Sequence, residues 1–188
     1  MFIQTETTPN PATLKFLPGS IVLESGVAEF LSYEDAAQRS PLAAKLFSIP
    51  GVSGVFFGYD FITVTKSDAE WHHLKPAIIG TIMNHFIGNT PVLTEPSEPL
   101  SHEDEFYDVE DSEIVETIKE ILEARIRPAV ANDGGDITFH GFKNGVVYLN
   151  MRGSCAGCPS STATLKHGIE NLLRHFIPEV TGVEAIEA

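Results

Sequence analysis

The chain has 188 residues with only two cysteines, and 43% of it is hydrophobic, which excludes both a wholly disordered chain and a disulfide-stapled scaffold. Its net charge of −14 argues against nucleic-acid partners, and no apolar run approaches the roughly 18 residues that span a membrane. No basic stretch followed by an apolar core opens the chain, so we expect no signal peptide. We expect a reducing compartment, namely the bacterial cytoplasm, with the mitochondrial matrix as the alternative for a processed chain.

Most of the negative charge lies in one short segment. Residues 94–113 contain nine acidic residues and no basic residue, together with prolines and serines. Such a segment repels itself and cannot bury a core. We therefore predict two small α+β domains at residues 1–93 and 113–188, joined by a flexible acidic linker at residues 94–112. A solvated tether is the simpler interpretation of the linker, and a partner-docking acidic patch is the alternative.

The first domain is predicted to mix strands and helices. In chain order, its pattern indicates a strand at 13–17, a Pro18–Gly19 turn followed by the apolar stretch 21–23, a helix capped by Ser40, paired strands at 52–57 and 61–65, and a long helix from Ala69 capped by Asp68. Pro41 suits the first turn of the earlier helix, because its missing N–H is unpaired there in any case.

The second domain is predicted to have the order α-β-β-α-β, with helices on one face of a small sheet. Its elements are a helix over 114–126 ending near Arg127-Pro128, a turn at 133–136, strands at 137–142 and 146–151, a helix that carries Leu165 to Phe176, and a final strand at 183–186. Asn144-Gly145 is a strong hairpin signal, because both residues tolerate a positive φ.

Both cysteines, Cys155 and Cys158, fall in the loop between the second of these strands and the next helix. Glycines in the loop let the backbone bend so that both thiols face the same way, and small neighbours are expected to leave the sulfurs uncovered. Cys158 precedes the helix directly, and the positive end of a helix stabilises a thiolate. We therefore predict that these two residues carry the chemistry of the chain.

Three kinds of site fit the residues alone. A dithiol redox site explains the spacing, although a hairpin precedes the loop and Pro159 follows it. A zinc site needs four ligands, and the candidate histidines, His140, His167 and His175, do not lie at ligand spacing from the loop. A [4Fe–4S] cluster needs four thiolates, so two chains must each supply one pair, giving a homodimer with one cluster per two chains.

The second domain resembles the Nfu-type domain of NifU-like proteins over about residues 113–186. The resemblance lies in Ile126-Arg127-Pro128, Asp133-Gly134-Gly135-Asp136, Gly153–Ser161, Thr164-Leu165-Lys166 and Pro178-Glu179-Val180. The first domain resembles the N-terminal module of the same family over about residues 3–90. There the matching motifs are Thr8-Pro9-Asn10-Pro11, Ser40-Pro41-Leu42-Ala43, Phe56-Phe57-Gly58 and Asp60-Phe61-Ile62-Thr63-Val64.

This resemblance implies an iron–sulfur cluster scaffold or carrier, which is a binding protein and not an enzyme, and it implies no catalytic residue. It implies that Cys155 and Cys158 bind a cluster bridged between two subunits. The expected partners are a second copy of the chain, upstream assembly proteins and apoproteins that receive the cluster, with no nucleic acid and no membrane. A dithiol oxidoreductase is the alternative function.

Overall fold

The structure is a computed structural model that describes residues 1–95, 105–156 and 159–186, without the side chains of residues 159–161. The chain divides into two units, Met1–Pro99 and Leu100–Ala188. Each unit combines helices with a sheet, which confirms the predicted α+β class. The domain limits proposed above stay a prediction. None of the described helices is long and apolar enough to cross a membrane.

The first unit contains a five-stranded antiparallel sheet in the order β1-β2-β5-β4-β3. Its strands are β1 (Gln4–Thr7), β2 (Thr13–Leu17), β3 (Ala28–Phe30), β4 (Val52–Phe57) and β5 (Ile62–Lys66). Its helices are α1 (Tyr33–Arg39), α2 (Pro41–Phe47) and α3 (Trp71–Ile87). Alternate side chains of the sheet pack with the helices in one core, whose largest fully buried members are Phe16, Phe30, Phe57, Leu42, Leu46, Ile62, Ile78 and Ile82.

The predicted start of α2 is confirmed. The Ser40 hydroxyl accepts the Ala43 N–H at 3.0 Å and donates to the Val92 carbonyl at 2.5 Å, and Pro41 occupies the first turn. Ser40 therefore caps the helix and also holds the end of the first unit against it. The predicted long helix is confirmed as α3, and it buries Leu74 and Ile78. It begins at Trp71 rather than at residue 69, and Glu70 rather than the predicted Asp68 occupies its cap position.

Three short elements of the first unit have no counterpart in the sequence-based prediction. Strand β1 is polar and exposed, and it forms by pairing with β2, while β3 is three residues long and pairs with β4. Helix α1 is seven residues long. The apolar stretch at 21–23 forms no strand, because the N–H groups of Val22 and Leu23 both donate to the Tyr59 carbonyl in a loop contact.

A buried histidine makes the stability of the first unit sensitive to acid. Burial lowers the pKa of His85 on α3, and the charge of Lys45 lowers it further, while hydrogen bonds to backbone carbonyls, that of Pro91 among them, act against both. Its other ring nitrogen, Nδ1, is buried and has no hydrogen-bond partner among the described residues. Below about pH 6.5 this histidine binds a proton in the unfolded chain but stays neutral in the folded chain. The free energy of unfolding therefore falls as the pH drops from about 6.5 toward the lowered pKa of the folded state.

We expect urea unfolding of the first unit, followed by the fluorescence of Trp71 on the same helix, to show this loss of stability below about pH 6.5. The variant His85→Gln keeps a donor for the Pro91 carbonyl but does not titrate, so its stability should fall less steeply with acid. Equal pH dependence of the two proteins between pH 5 and 7 (about the range in which histidine titrates) would contradict the assignment.

The second unit has the predicted order α-β-β-α-β. A short 3₁₀ turn (Val109–Asp111) leads into α4 (Ser112–Ile121), a π-helical turn (Leu122–Ile126), α5 (Arg127–Asn132), β6 (Gly135–Lys143), β7 (Val146–Gly153), α6 (Pro159–Phe176) and β8 (Gly182–Ile186). β7 lies in the middle of the sheet, antiparallel to β6 and parallel to β8. The helical path does not end near Arg127-Pro128, as predicted, but continues through the π-helical turn into α5. Pro128 lies in the first turn of α5, where a backbone N–H has no helical partner, so its missing N–H costs nothing.

The predicted hairpin between β6 and β7 is confirmed, with φ of 53° at Asn144 and 79° at Gly145. It aligns Gly135 with Gly153 at the other end of the two strands. Helices and sheet share one core, whose buried members include Ile118, Leu122, Ile137, Val147, Leu149, Ile169 and Leu173. The hairpin therefore fixes the register that brings the cysteine loop next to the start of β6.

Glu105 and Phe106, near the end of the predicted linker, pack on the second unit and are not part of a flexible tether. The carboxylate of Glu105 lies 2.5 Å from the ammonium of Lys119, and Phe106 forms a parallel β-bridge with Gly141. At the other end, the Thr94 N–H donates to the Arg39 carbonyl at 2.9 Å within the first unit. Phe106 packs because its aromatic side chain has apolar surface to bury, whereas the acidic residues, serines and prolines before it have little. Residues 96–104 of the predicted linker lie outside the described residues.

Candidate functional site

Cys155 lies in the loop that leaves β7, two residues after the strand ends at Gly153. Gly153 has φ of 66°, a backbone conformation that favours glycine, and its carbonyl accepts the Ala156 N–H at 3.2 Å. The Thr162 hydroxyl, on the first turns of α6, donates to the Cys155 carbonyl at 3.0 Å. The loop is therefore held at both ends, by the last residue of β7 and by α6.

The side chain of Cys155 is buried, with 6% of the residue exposed, and it belongs to the core of the second unit. Gly135 of β6 makes room for it: a Cβ at this position would lie 2.6 Å from the Cys155 sulfur and 2.8 Å from the Arg152 carbonyl oxygen. The expectation that small neighbours leave the sulfurs uncovered is wrong for Cys155, because the loop folds back over a glycine of the adjacent strand.

Burial also sets the protonation of this thiol. Loss of hydration raises the pKa of Cys155 to about 11, and the charges of Asp133 and Asp136 raise it, while a hydrogen bond with Ser154 acts in the opposite direction. The group is therefore a neutral thiol near pH 7. Since the thiolate is both the nucleophile and the metal ligand, Cys155 must lose this proton before it reacts or as it binds a metal.

The turn between α5 and β6 supports the cysteine loop from the side. The Ser154 hydroxyl donates to the Asp133 carbonyl, and the Ser154 N–H donates to the Gly134 carbonyl at 3.3 Å. Ser154 is almost completely buried. The sequence predicts a turn at residues 133–136, but nothing in its spacing indicates that Asp133 in this turn contacts Ser154, 21 positions later.

A buried ion pair stands next to this turn. The Arg127 guanidinium contacts both carboxylate oxygens of Asp136, Nε to Oδ1 at 2.9 Å and Nη2 to Oδ2 at 3.0 Å, and it also contacts Glu123 at 2.5 Å. Burial by itself favours the neutral guanidine, but the hydrogen bonds and charges of Asp136 and Glu123 outweigh it and raise the pKa of Arg127. The sequence contains Arg127 and Asp136 as parts of two separate motifs, with no sign that they pair.

Of the other predicted site residues, Cys158 lies outside the described residues. His140 lies on β6, where its ring contacts Phe106 and its Nδ1 is 3.4 Å from the Asn150 amide nitrogen. His167 and His175 are exposed on α6. Within residues 1–95, 105–156 and 159–186, no three histidine, cysteine or acidic side chains form a group that could hold a metal ion.

Comparison with known families matches both halves of the chain. Residues 3–89 match the family described as "Scaffold protein Nfu/NifU N terminal", and residues 118–184 match the NifU-like domain. Among solved structures, the NMR structure of a NifU-like protein from Saccharomyces cerevisiae is 30% identical, with a TM-score of 0.46, and the match covers 50% of this chain and 86% of that one.

Curated relatives match almost the whole chain. It is 53% identical over 190 residues to the human NFU1 iron-sulfur cluster scaffold homolog, mitochondrial, covering 99% of this chain and 72% of that protein. It is 51% identical over 187 residues to NifU-like protein 4, mitochondrial, of Arabidopsis thaliana, covering 98% of this chain and 65% of that protein. The chain thus spans about two thirds of the length of these relatives. Since both of its halves match and the human relative is matched over most of its length, the chain belongs to the Nfu family of NifU-like proteins.

Proposed function

We propose that this chain is an iron–sulfur cluster scaffold or carrier, which takes up a cluster as its cargo and passes it to apoproteins. The observation that supports this function is the Cys-x-x-Cys loop of Cys155 and Cys158 in a chain whose human relative is named an iron-sulfur cluster scaffold homolog. The family supplies the class of cargo, and the loop supplies the thiolates that iron–sulfur clusters require.

We assign the cargo as a [4Fe–4S] cluster shared by two chains. Such a cluster takes four thiolates, whereas one chain has only Cys155 and Cys158. The described part of the chain offers no metal-binding group of three side chains that would complete the set alone. A homodimer with one cluster per two chains satisfies the ligand count.

The burial of Cys155 in the absence of a cluster favours release of the cluster to an acceptor protein. To bind iron, the loop must move so that the sulfur leaves the core, and this gives up the packing against Gly135. When an acceptor takes the cluster, the side chain returns to the core and the apolar contacts form again. The hydrogen bonds from Thr162 and Ala156 hold only the backbone of the loop, so they do not tie down the sulfur itself.

The proposed partners follow from this role. They are a second copy of the chain, assembly proteins that supply the cluster and apoproteins that accept it, with no residue acting as an acid or a base. The human and Arabidopsis relatives are named mitochondrial, which supports the mitochondrial alternative, and they give no support to a bacterial cytoplasm. A dithiol oxidoreductase has less support, because the human relative is named an iron-sulfur cluster scaffold homolog.

Anaerobic reconstitution of the full chain with iron, sulfide and a reductant tests this function. We expect about four iron atoms per two chains, a dimer by native mass spectrometry and transfer of the cluster to an apo [4Fe–4S] enzyme, measured as its recovered activity. A full cluster on a monomer would contradict the bridged arrangement. Disulfide reduction by a chain that never takes up iron would replace the carrier function with the oxidoreductase.

A further inference from the structure

Two hydrogen bonds of Ser154 join the Cys155 loop to the turn between α5 and β6. The Ser154 hydroxyl donates to the Asp133 carbonyl, and its N–H donates to the Gly134 carbonyl at 3.3 Å. Only 1% of Ser154 is exposed. A hydroxyl at this depth is favourable only while it has a hydrogen-bond partner, so the Asp133 carbonyl fixes where Ser154 lies and, through it, where the loop begins.

The acceptor side of this contact is held in place from two directions. Asp133 and Gly134 follow α5 directly, and their N–H groups donate to carbonyls in the last turn of that helix at 3.1 and 3.0 Å. Two residues later, Asp136 contacts the Arg127 guanidinium through both carboxylate oxygens. The turn therefore offers Ser154 two carbonyls in fixed positions, and the cysteine loop is the part that moves when the contact breaks.

The donor side has a hinge directly before Ser154. β7 ends at Gly153, whose φ of 66° lies in the region where glycine changes conformation at little steric cost. The Ala156 N–H bonds back to the Gly153 carbonyl, which is a contact within the loop itself. The Thr162 hydroxyl holds the Cys155 carbonyl and does not fix the sulfur. The two bonds of Ser154 are thus the contacts that tie the start of the loop to the turn.

The sulfur of Cys155 lies against a backbone position where a side chain would not fit. A Cβ at Gly135 would lie 2.6 Å from the sulfur and 3.2 Å from the Cys155 backbone nitrogen. That nitrogen belongs to the peptide group that joins Ser154 to Cys155. Lifting the sulfur away from Gly135 therefore moves this peptide group and pulls Ser154 from the turn.

We propose that Ser154 is a positioning residue that keeps the Cys155 thiol in the core of the cluster-free chain, and that release of its two hydrogen bonds is the step that exposes the sulfur. The inference rests on the proposed function, in which Cys155 is a ligand that stays shielded between one cluster and the next. On release, Ser154 and both carbonyls bond to water instead, so the net cost of opening is modest and the loop opens without unfolding of the unit.

Alkylation of the Cys155 thiol measures this opening in the full, cluster-free chain. Iodoacetamide is added at one fixed pH under reducing conditions, and mass spectrometry with fragmentation between residues 155 and 158 gives the rate at Cys155 alone. Ser154→Ala removes the hydroxyl and its bond to Asp133. We expect the rate to rise about three- to tenfold, which is the contribution of one such bond. An unchanged rate would overturn the proposal.

Val147→Ala is the matched control, because it weakens the same unit at a distance from the loop. Val147 is fully buried at the hairpin end of β7, so its truncation lowers the free energy of unfolding, which hydrogen exchange of the β6 and β7 amides records. We expect the alkylation rate of Cys155 to stay at the wild-type value in this variant. A rise that matches the loss of stability would show that only unfolding of the whole unit exposes the sulfur, and the proposal would be wrong.

Hydrogen exchange of the wild type adds a test that needs no substitution. The Ser154 amide, which donates to the Gly134 carbonyl, should exchange at least about tenfold faster than the amide of Leu149, a fully buried residue of the central strand. Equal protection of the two amides would mean that the loop does not open by itself. A wild-type chain that takes up no cluster would instead refute the proposed function, and the alkylation and exchange rates then decide whether Ser154 positions Cys155.

Discussion

Replacement of the buried cysteine, Cys155→Ser, is expected to reduce the iron content of the reconstituted chain by about tenfold or more while both units stay folded. Serine is nearly isosteric with cysteine, but its hydroxyl does not supply the thiolate that iron–sulfur clusters need. Placing a hydroxyl in the core near Gly135 costs about 1–3 kcal/mol if it finds no partner, which is below the usual stability of a domain. Iron and sulfide analysis, with circular dichroism for the fold, measures both effects.

A variant in the same loop is the matched control. Ala156→Ser adds a hydroxyl one position further along, where the side chain is partly exposed, and it removes no thiol. We expect this variant to take up cluster as the wild type does. If Cys155→Ser retains a full complement of iron, Cys155 is not a ligand and the site assignment is wrong.

The second large effect is expected at the ion pair beside the loop. Arg127→Ala removes the guanidinium that contacts both oxygens of Asp136, a residue that is 4% exposed. A buried carboxylate without its partner destabilises a protein by about 3–5 kcal/mol, so we expect the free energy of unfolding of the second unit to fall by about 3 kcal/mol. Hydrogen exchange of the β6 and β7 amides measures this, because those amides report on the second unit alone.

Glu123→Gln is the control for this prediction, because Glu123 contacts the same guanidinium through a side chain that is 61% exposed. Exposed ion pairs contribute about 0–1 kcal/mol, so this variant should change the exchange rates little. The double variant Arg127→Ala with Asp136→Asn should recover part of the loss, because it removes the unpaired charge. Similar effects of Arg127→Ala and Glu123→Gln would show that the ion pair does not stabilise the unit.

Local rules predicted most of the second unit. Asn144-Gly145 forms the hairpin because both residues adopt the positive φ that the turn requires, and the apolar spacing of α6 and the alternation of β7 need no distant partner to be recognised. The first unit was predicted less completely. β1 is polar throughout, and it becomes a strand only because β2 offers it a partner.

In the candidate site, too, local features could be predicted from the sequence, whereas contacts between distant residues could not. The spacing of Cys155 and Cys158 is a local feature, so the sequence indicates where the chemistry lies. The burial of Cys155 depends on Gly135, which faces it across the sheet, and the support of the loop depends on Ser154 reaching Asp133. These contacts join residues about 20 positions apart, and no periodicity within one element encodes them.

The buried thiol has a consequence for rates and affinities. If Cys155 is the cluster ligand that we propose, only molecules with an open loop can present it to iron, and the measured affinity equals the affinity of the open form multiplied by the fraction of apo molecules that are open. If about one molecule in a hundred is open, the chain binds its cargo about a hundredfold more weakly than its ligands would allow. A variant that holds the loop open would then bind its cargo more tightly, by up to the same factor of about a hundred.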